Sequence, residues 1–430
     1  MRLSTPRAAA YLLAGTLVAG SFAAGFFEPE LRAQGGLPEL FVRSRPVGVG
    51  KELEPLNAYQ RTVNLILERS LTAPPSERRL TFAAIRGLLS TLDDPYTRFL
   101  DPAEYAEMRQ RNLGEFDGIG AELSTETGRD GFVRIQRTIP GGPAQKAGLR
   151  AGDSIVQVNG RAVKGLSVDQ VVEIIRGRAG TVVRLKIRSA GSRLLKSFTL
   201  KRAPVPIEIV HSRMLENGIG YIELDEFNEQ TDPMLEAALA NLKRHQLKGL
   251  VVDLRGNPGG LLEAAIDVSS RFVPPQKAVV VIVEPGQEPD RRTTVGKKYL
   301  GGAIPLVVLV NRTSASASEI VSGAIQDNKS GTIVGTTTFG KGLVQTVIPL
   351  EYGAACVITT QKYLTPNGRD INRTRDRRGG IEPDVVVEVT EDEFLARKDP
   401  QLLKGIELLK SRLGSQPLKP APARIGASVP

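Results

Sequence analysis

A single cysteine, Cys356, stands in the 430 residues, so the chain can close no disulfide within itself and its fold must rest on a packed core. Histidine is nearly as scarce, with only His211 and His245. His211 lies just before a polar turn, and His245 ends an amphipathic helical pattern beside Lys243 and Arg244, so both read as surface residues. A Ser-His-Asp triad is therefore not expected. No Cys/His cluster has the spacing of a zinc site, and the paired carboxylates in the helical patterns fall on solvent-facing positions. Acidic charge is also in deficit: 57 Lys and Arg against 47 Asp and Glu give a formal charge of +10. The arginines are spread along the chain, which suits a weak attraction to anionic surfaces and argues against a nucleic-acid partner.

The length of 430 residues exceeds one ordinary core, so two or three domains are expected, and 41% hydrophobic with 24% charged residues is a globular composition. At the amino terminus, Arg2 and Arg7 precede an uncharged apolar run over residues 8–27, with Glu28 and Glu30 beyond it. Positive charge before such a run places the remainder outside the cytoplasm. Residues 1–27 are expected to be a cleaved signal peptide or a signal anchor. Either puts the protein in the periplasm or cell envelope, held at the inner membrane if the segment is retained.

Residues 28–50, rich in Pro and Gly, read as a linker. A helical region follows over 51–113: the apolar spacing Leu56, Tyr59, Val63, Ile66, then Leu80, Ala84, Ile85, Leu88 predicts two helices separated by Pro74-Pro75, with a third near Tyr105 and Met108. From Gly114 to Ala203 the texture turns to short strands and glycine turns. Beyond Pro204 and Pro206 an α/β pattern runs to about residue 395, with strands expected at 220–224, 249–254, 278–283, 304–310 and 332–335. The 249–254 strand is apolar throughout, as in strands covered on both faces. Residues 396–430 are expected to hold a last helix and a proline-rich, disordered tail.

The run Gly148-Leu149-x-x-Gly152-Asp153-x-Ile155-x-x-Val158-Asn159-Gly160 resembles a PDZ domain, here spanning about 114–203. Glycines at 118 and 120 let the backbone amides around Gly118, Ile119 and Gly120 turn inward and hold a terminal carboxylate. The bound peptide would add a strand between the strand begun by Ala121 and the helix bearing Val171, Val172 and Ile175, although some of these aliphatics must serve the domain core. An apolar terminal residue is the expected ligand.

With no histidine at hand, a serine nucleophile needs another base, and a lysine serves if burial lowers its pKa. Lys341 suits this: Phe339, Leu343 and Val344 surround it, Gly340 and Gly342 permit close approach, and Gln345 can orient the amine without adding negative charge. Ser316-Ala317-Ser318-Glu319 matches a capping box, so Ser316 has a purely structural explanation too. On these grounds Ser314, Ser316 and Ser318 cannot be ranked.

Three motifs in order, Asp253-Leu254-Arg255-x-Asn257-x-Gly259-Gly260, Ser314-Ala315-Ser316-Ala317-Ser318-Glu319-Ile320 and Phe339-Gly340-Lys341-Gly342-x-Val344-Gln345, resemble the carboxy-terminal processing peptidases, or tail-specific proteases. Asp93-Asp94-Pro95-Tyr96-Thr97 and Thr365-Pro366-Asn367-Gly368 extend the likeness over roughly residues 50–395. The resemblance implies Ser316 as nucleophile, Lys341 as general base and Gln345 as its orienting partner. It implies an oxyanion hole from the amides of Ala317 and Gly260, with Gly259 the neighbouring candidate. It also implies a crotonase-like α/β core, an inserted, mostly β PDZ domain, no metal and no other cofactor. Substrates would be proteins or peptides with free C-termini, and a homo-oligomer is compatible with it. The alternative is a noncatalytic PDZ scaffold on an inactive core. Pro258 replaces a frequent glycine of the family, and the basic loop 372–380 is an elaboration.

Overall fold

A computed structural model describes residues 54–414, apart from short stretches at 73–74, 125–126, 129, 193, 297–299, 301, 303 and 397. The expected signal segment, the linker and the tail past residue 414 lie outside the described residues. Two compact units are present. The smaller holds residues 54–105 and 344–360, the larger 106–343 and 361–414.

The chain opens with α1 (Glu54–Arg69), α2 (Glu77–Ser90), β1 (Arg98–Leu100) and α3 (Pro102–Leu113). The turn between α2 and β1 is built by Asp94, whose carboxylate accepts the Tyr96 amide at 3.0 Å and the Thr97 hydroxyl at 2.6 Å. Such an Asx turn follows Asp93 at positive φ and Pro95, which no helix tolerates.

Next come β2 (Glu115–Gly118), β3 (Ala121–Leu123), β4 (Ile135–Thr138), α4 (Pro143–Lys146), β5 (Ser154–Val158), β6 (Arg161–Ala162), α5 (Val168–Ile175), β7 (Val182–Arg188), β8 (Leu195–Lys201) and β9 (Ala203–Pro206). Strands β6, β5, β7 and β8 form one antiparallel sheet, and β3 pairs with β4. Ile135, Ile155, Val158, Val171, Val183, Leu185 and Ile187 close the core of this domain. Its two ends are joined, since β2 pairs with β9, Phe116 opposite Val205. Pro204 and Pro206, which mark the change of pattern in the sequence, thus sit in a two-stranded ribbon, where an edge position spares them the amide they lack.

The rest of the larger unit is built on a six-stranded sheet. The elements from here on are β10 (Val210–Met214), β11 (Ile219–Leu224), α6 (Thr231–Arg244), β12 (Gly249–Asp253), α7 (Leu262–Phe272), β13 (Ala278–Val283), β14 (Asp290–Thr293), β15 (Leu306–Val310), α8 (Ala317–Asp327), β16 (Thr332–Gly335), then β17 (Leu343–Pro349) and β18 (Ala355–Leu364), of which residues 344–360 belong to the smaller unit, and β19 (Val385–Val386), α9 (Glu391–Leu395) and α10 (Pro400–Gly414). The order is β10-β11-β12-β15-β16-β19, parallel except for the β10–β11 pair. Every residue of β12, β15 and β16 is buried, as their unbroken aliphatic runs require. Leu409 of α10 packs onto Val251, Val307, Leu309 and Val334. β14, missed in the sequence because Asp-Arg-Arg-Thr carries no apolar alternation, is an edge strand on β13. Within the smaller unit residues 355–357 of β18 pair with β1, and within the larger residues 362–364 pair with β13.

Candidate active site

Parallel sheets gather function at the carboxyl ends of their strands. Here three adjacent strands end in the three motifs: β12 in residues 254–260, β15 in 311–316 and β16 in 336–342.

Asn257 fixes the first loop. Its Nδ2 donates to Leu224 O at 2.8 Å, its Oδ1 accepts the Gly259 amide at 2.8 Å, and its carbonyl accepts from Ala315 N at 3.1 Å and Ser318 Oγ at 3.0 Å. Gly259 has φ +102, and a Cβ there would lie 2.8 Å from Ser316 Cβ and 2.9 Å from Ala317 N. Gly260 has φ +144, and a Cβ would meet Phe227 O at 1.9 Å. Only glycine fits either place. The Gly259 amide is thus spent on Asn257, whereas the amides of Gly260 and Ala317 make no hydrogen bond to the protein among the described residues.

The three serines now separate. Ser314 Oγ donates to Leu254 O at 2.8 Å and Ser318 Oγ to Asn257 O, so both hydroxyls fasten the β15 loop to the β12 loop. Ser316 donates no comparable bond. It sits at the N-cap of α8 with φ +54 and ψ −114, a conformation costing about 1–3 kcal/mol that persists only where the surroundings enforce it. A sharp strand-to-helix turn of this kind pushes a serine outward at the head of a sheet.

The enforcing group is Glu319, fully buried. Its Oε2 accepts the amides of Ser316 and Lys341, both at 2.9 Å; its Oε1 accepts the Gly340 amide at 2.7 Å and the Thr338 hydroxyl at 2.6 Å. The glutamate half of the capping box is therefore made, but the same carboxylate also anchors the lysine loop. Burial pushes the Glu319 carboxyl above its usual range, against the four donors that favour its anion. Tyr363, also buried, places its hydroxyl 2.5 Å from Lys341 O and 3.0 Å from Ser316 O. Lys341 itself is 2% exposed, so its amine lies out of bulk water. Sequence reasoning missed Glu319 and Tyr363 as shared supports. The only signal was the capping-box spacing.

Gln345 belongs to the smaller unit and is fully buried; Nε2 donates to Thr359 Oγ1 at 3.2 Å, while Oε1 accepts no hydrogen bond among the described residues. Thr359 N in turn donates to Thr97 Oγ1 at 3.1 Å, so the Asp93–Thr97 motif braces the strand pair carrying Gln345. Asp94, burial notwithstanding, is held below its usual pKa by hydrogen bonds from Thr97, Thr359 and the amide of Tyr96. The Asp-Leu-Arg motif is structural as well. Arg255 bridges Asp253, at 2.6 Å, and Asp399, at 2.8 Å, tying the loop after β12 to the start of α10. Both histidines are exposed; His211 pairs with Asp225 at 2.9 Å and His245 with Asn241 O at 2.9 Å.

In the inserted domain the carbonyls of Ile119 and Gly120 accept from Ala144 and Ile139, which fixes the loop. Among the described residues β3 is paired on one edge, by β4. Of the helix aliphatics expected beside the peptide, Val171 and Ile175 are 0% and 6% exposed and belong to the domain core, as does the side chain of Ile119 at 3%, whose expected contact is its backbone amide. A helix face spaced at three and four residues points its centre inward. Val172, half-buried at the margin of that face, keeps the expected position, and half-buried Ala121 and Leu123 lie on β3.

Two protein families match the chain, Peptidase family S41 over residues 218–387 and the PDZ domain over 134–189. The chain is 38% identical over 333 residues, 74% of its length and 70% of the relative's, to the chloroplastic C-terminal processing peptidase of Tetradesmus obliquus. It is 36% identical over 355 residues, 80% of each chain, to the carboxyl-terminal-processing protease of Synechocystis sp.. Among solved structures, the photosystem II D1 C-terminal processing protease matches at 34% identity and a TM-score of 0.45, over 82% of this chain and 96% of that one. Fold and site thus define a serine-type peptidase with a mixed α/β core and a PDZ domain. The chain belongs to peptidase family S41, among the carboxy-terminal processing proteases.

Proposed function

We propose that the protein is an exported endopeptidase that cleaves polypeptides through a Ser316–Lys341 dyad after its PDZ domain has captured an unstructured, apolar C-terminus. The observation that carries this reading is the joint anchoring of Ser316 and Lys341 by the buried carboxylate of Glu319. In this mechanism neutral Lys341 takes the proton from Ser316 Oγ as that oxygen attacks the scissile carbonyl. The lysine then returns the proton to the leaving amine, and water attacks the acyl-enzyme with Lys341 again as base. The amides of Ala317 and Gly260 receive the oxyanion; both are unspent, and Ala317 opens a helix whose dipole favours negative charge. Gln345, to which the family resemblance gives the orienting role, keeps an uncommitted Oε1.

The PDZ loop at Gly118, Ile119 and Gly120 takes the terminal carboxylate, and the peptide adds a strand to the open edge of β3 beside Val172. Export rests on the charged and apolar pattern of residues 1–30. The test is hydrolysis of a peptide with an apolar free C-terminus by protein beginning at residue 51. Ser316→Ala and Lys341→Ala are each expected to lose about 10³-fold or more in kcat. The wild-type rate rises with pH as Lys341 loses its proton. Undiminished activity in both variants, or a rate indifferent to pH, sinks the dyad.

A further inference from the structure

A cavity of about 1050 Å³ opens beside the loop that carries Lys341, walled by residues 336–338 and 369–380 with Arg312, Glu382 and Glu388. Six arginines line it, Arg312, Arg369, Arg373, Arg375, Arg377 and Arg378, against four carboxylates. Among them Arg369 pairs with Asp327 at 2.5 Å, Arg377 with Asp370 at 2.9 Å, and Arg312 with Glu388 at 3.6 Å. Arg373 meets no carboxylate among the described residues. Its Nε donates to Arg378 O at 3.0 Å, and its guanidinium lies over the Phe339 ring, 5.4 Å from the centroid. The Arg378 guanidinium meets no carboxylate among the described residues.

This wall is fastened on both sides of the lysine. Arg373 N donates to Gly340 O at 2.8 Å, and Gly342 N donates to Asn372 Oδ1 at 3.2 Å. Ile381 N donates to Thr338 Oγ1 at 2.7 Å, the hydroxyl that reaches Glu319. The loop that bears these cations is therefore held next to Lys341, the proposed general base.

We propose that this cavity binds an acidic stretch of the substrate polypeptide, so that the enzyme selects chains carrying Asp or Glu near the scissile bond; the proposal rests on the peptidase reading above. Guanidinium groups gathered without partners repel one another, and a carboxylate relieves that repulsion through paired, charge-assisted hydrogen bonds. The interspersed acids Asp370, Asp376, Glu382 and Glu388 suit discrete side-chain carboxylates and would repel a continuous polyanion. Phe339, stacked under Arg373 and partly exposed, offers apolar contact to the same chain.

The experiment compares two peptides sharing one apolar C-terminus, one with Glu residues flanking the cleaved bond and one with Gln in their place. For the wild type, kcat/KM for the acidic peptide is expected to exceed that for the neutral one by about tenfold or more, chiefly through KM, and the advantage shrinks with added salt. In Arg373→Gln/Arg378→Gln the ratio falls toward unity; Arg378→Gln alone serves if the double variant does not fold. A ratio near unity in the wild type, or one retained in the variant, overturns the proposal while leaving the peptidase intact. If neither peptide is cleaved, the peptidase reading has failed, and anisotropy of the labelled peptides decides the inference separately. Weaker acidic-peptide binding by the variant supports it, and equal binding overturns it. Displacement of the peptide by inorganic phosphate at equal concentration would reduce the cavity to a bare anion site and also overturn it.

Discussion

Ser316 and Lys341 are tied by their backbones to one oxygen, Glu319 Oε2, at 2.9 Å each. A buried carboxylate with four donors holds a strained serine turn and a lysine loop as one piece. Glu319→Ala would orphan three amides and a hydroxyl, at about 1 kcal/mol or more per donor. Glu319→Gln keeps the volume but turns an NH2 toward donors. Either change is expected to lower kcat by about 100-fold through misplacement of the reacting groups, with KM for the tail nearly kept. A Glu319→Gln enzyme as active as the wild type would remove this carboxylate from catalysis.

The glycine pair makes a sharper demand. A Cβ at Gly259 would fall 2.7 Å from Ala315 O and 2.8 Å from Ser316 Cβ, at a φ of +102. Gly259→Ala must shift the serine turn, and at least about 100-fold loss of kcat/KM is expected. Kinetics beside a thermal melt separate this from unfolding; full activity in a folded Gly259→Ala protein would contradict the close approach.

Arg255 with Asp253 and Asp399 gives a pH signature. Burial works against the anion of Asp399, but the hydrogen bonds and charge of Arg255 override it and hold the carboxyl below its usual value. A lowered folded pKa means the contribution is complete above the unfolded value of about 3.9 and is lost as pH falls through the folded one. Asp399→Asn is therefore expected to be less stable than the wild type near neutrality, with the gap closing below about pH 4. Denaturant unfolding across about pH 3 to 6 reads this directly. A gap that widens on acidification would assign the wrong sign to Asp399.

Two neighbouring valines separate packing from recognition. Val171 is fully buried, so Val171→Ala removes two methyl groups from the core at a cost of about 2 kcal/mol. Val172 is only half-buried, and Val172→Asp is expected to leave the melting temperature nearly unchanged while raising KM for substrates with apolar tails. The reverse pattern would place the ligand on the other side of α5.

Much of this was legible in the sequence. Aliphatic runs predicted β12, β13, β15 and β16 within two residues at every end, because strands buried on both faces leave no polar interruption. Strands without such a signature escaped: β9 carries two prolines and β14 is charged, and both exist because a partner strand offers its edge. The sequence also brought the Gly-Gly, serine and lysine motifs forward as a set.

Apart from the family resemblance, which singled out Ser316, residue chemistry could not choose among Ser314, Ser316 and Ser318, since a helix cap and a nucleophile occupy the same kind of place. By itself the sequence determined which residue types were available: an isolated cysteine, two surface histidines, and a lysine framed by glycines. The difference among the serines lies in three dimensions. Leu254 O and Asn257 O, more than fifty residues earlier in the chain, consume the hydroxyls of Ser314 and Ser318. Hydrogen-bond satisfaction depends on which loops the parallel sheet brings side by side, and that adjacency is a property of the fold.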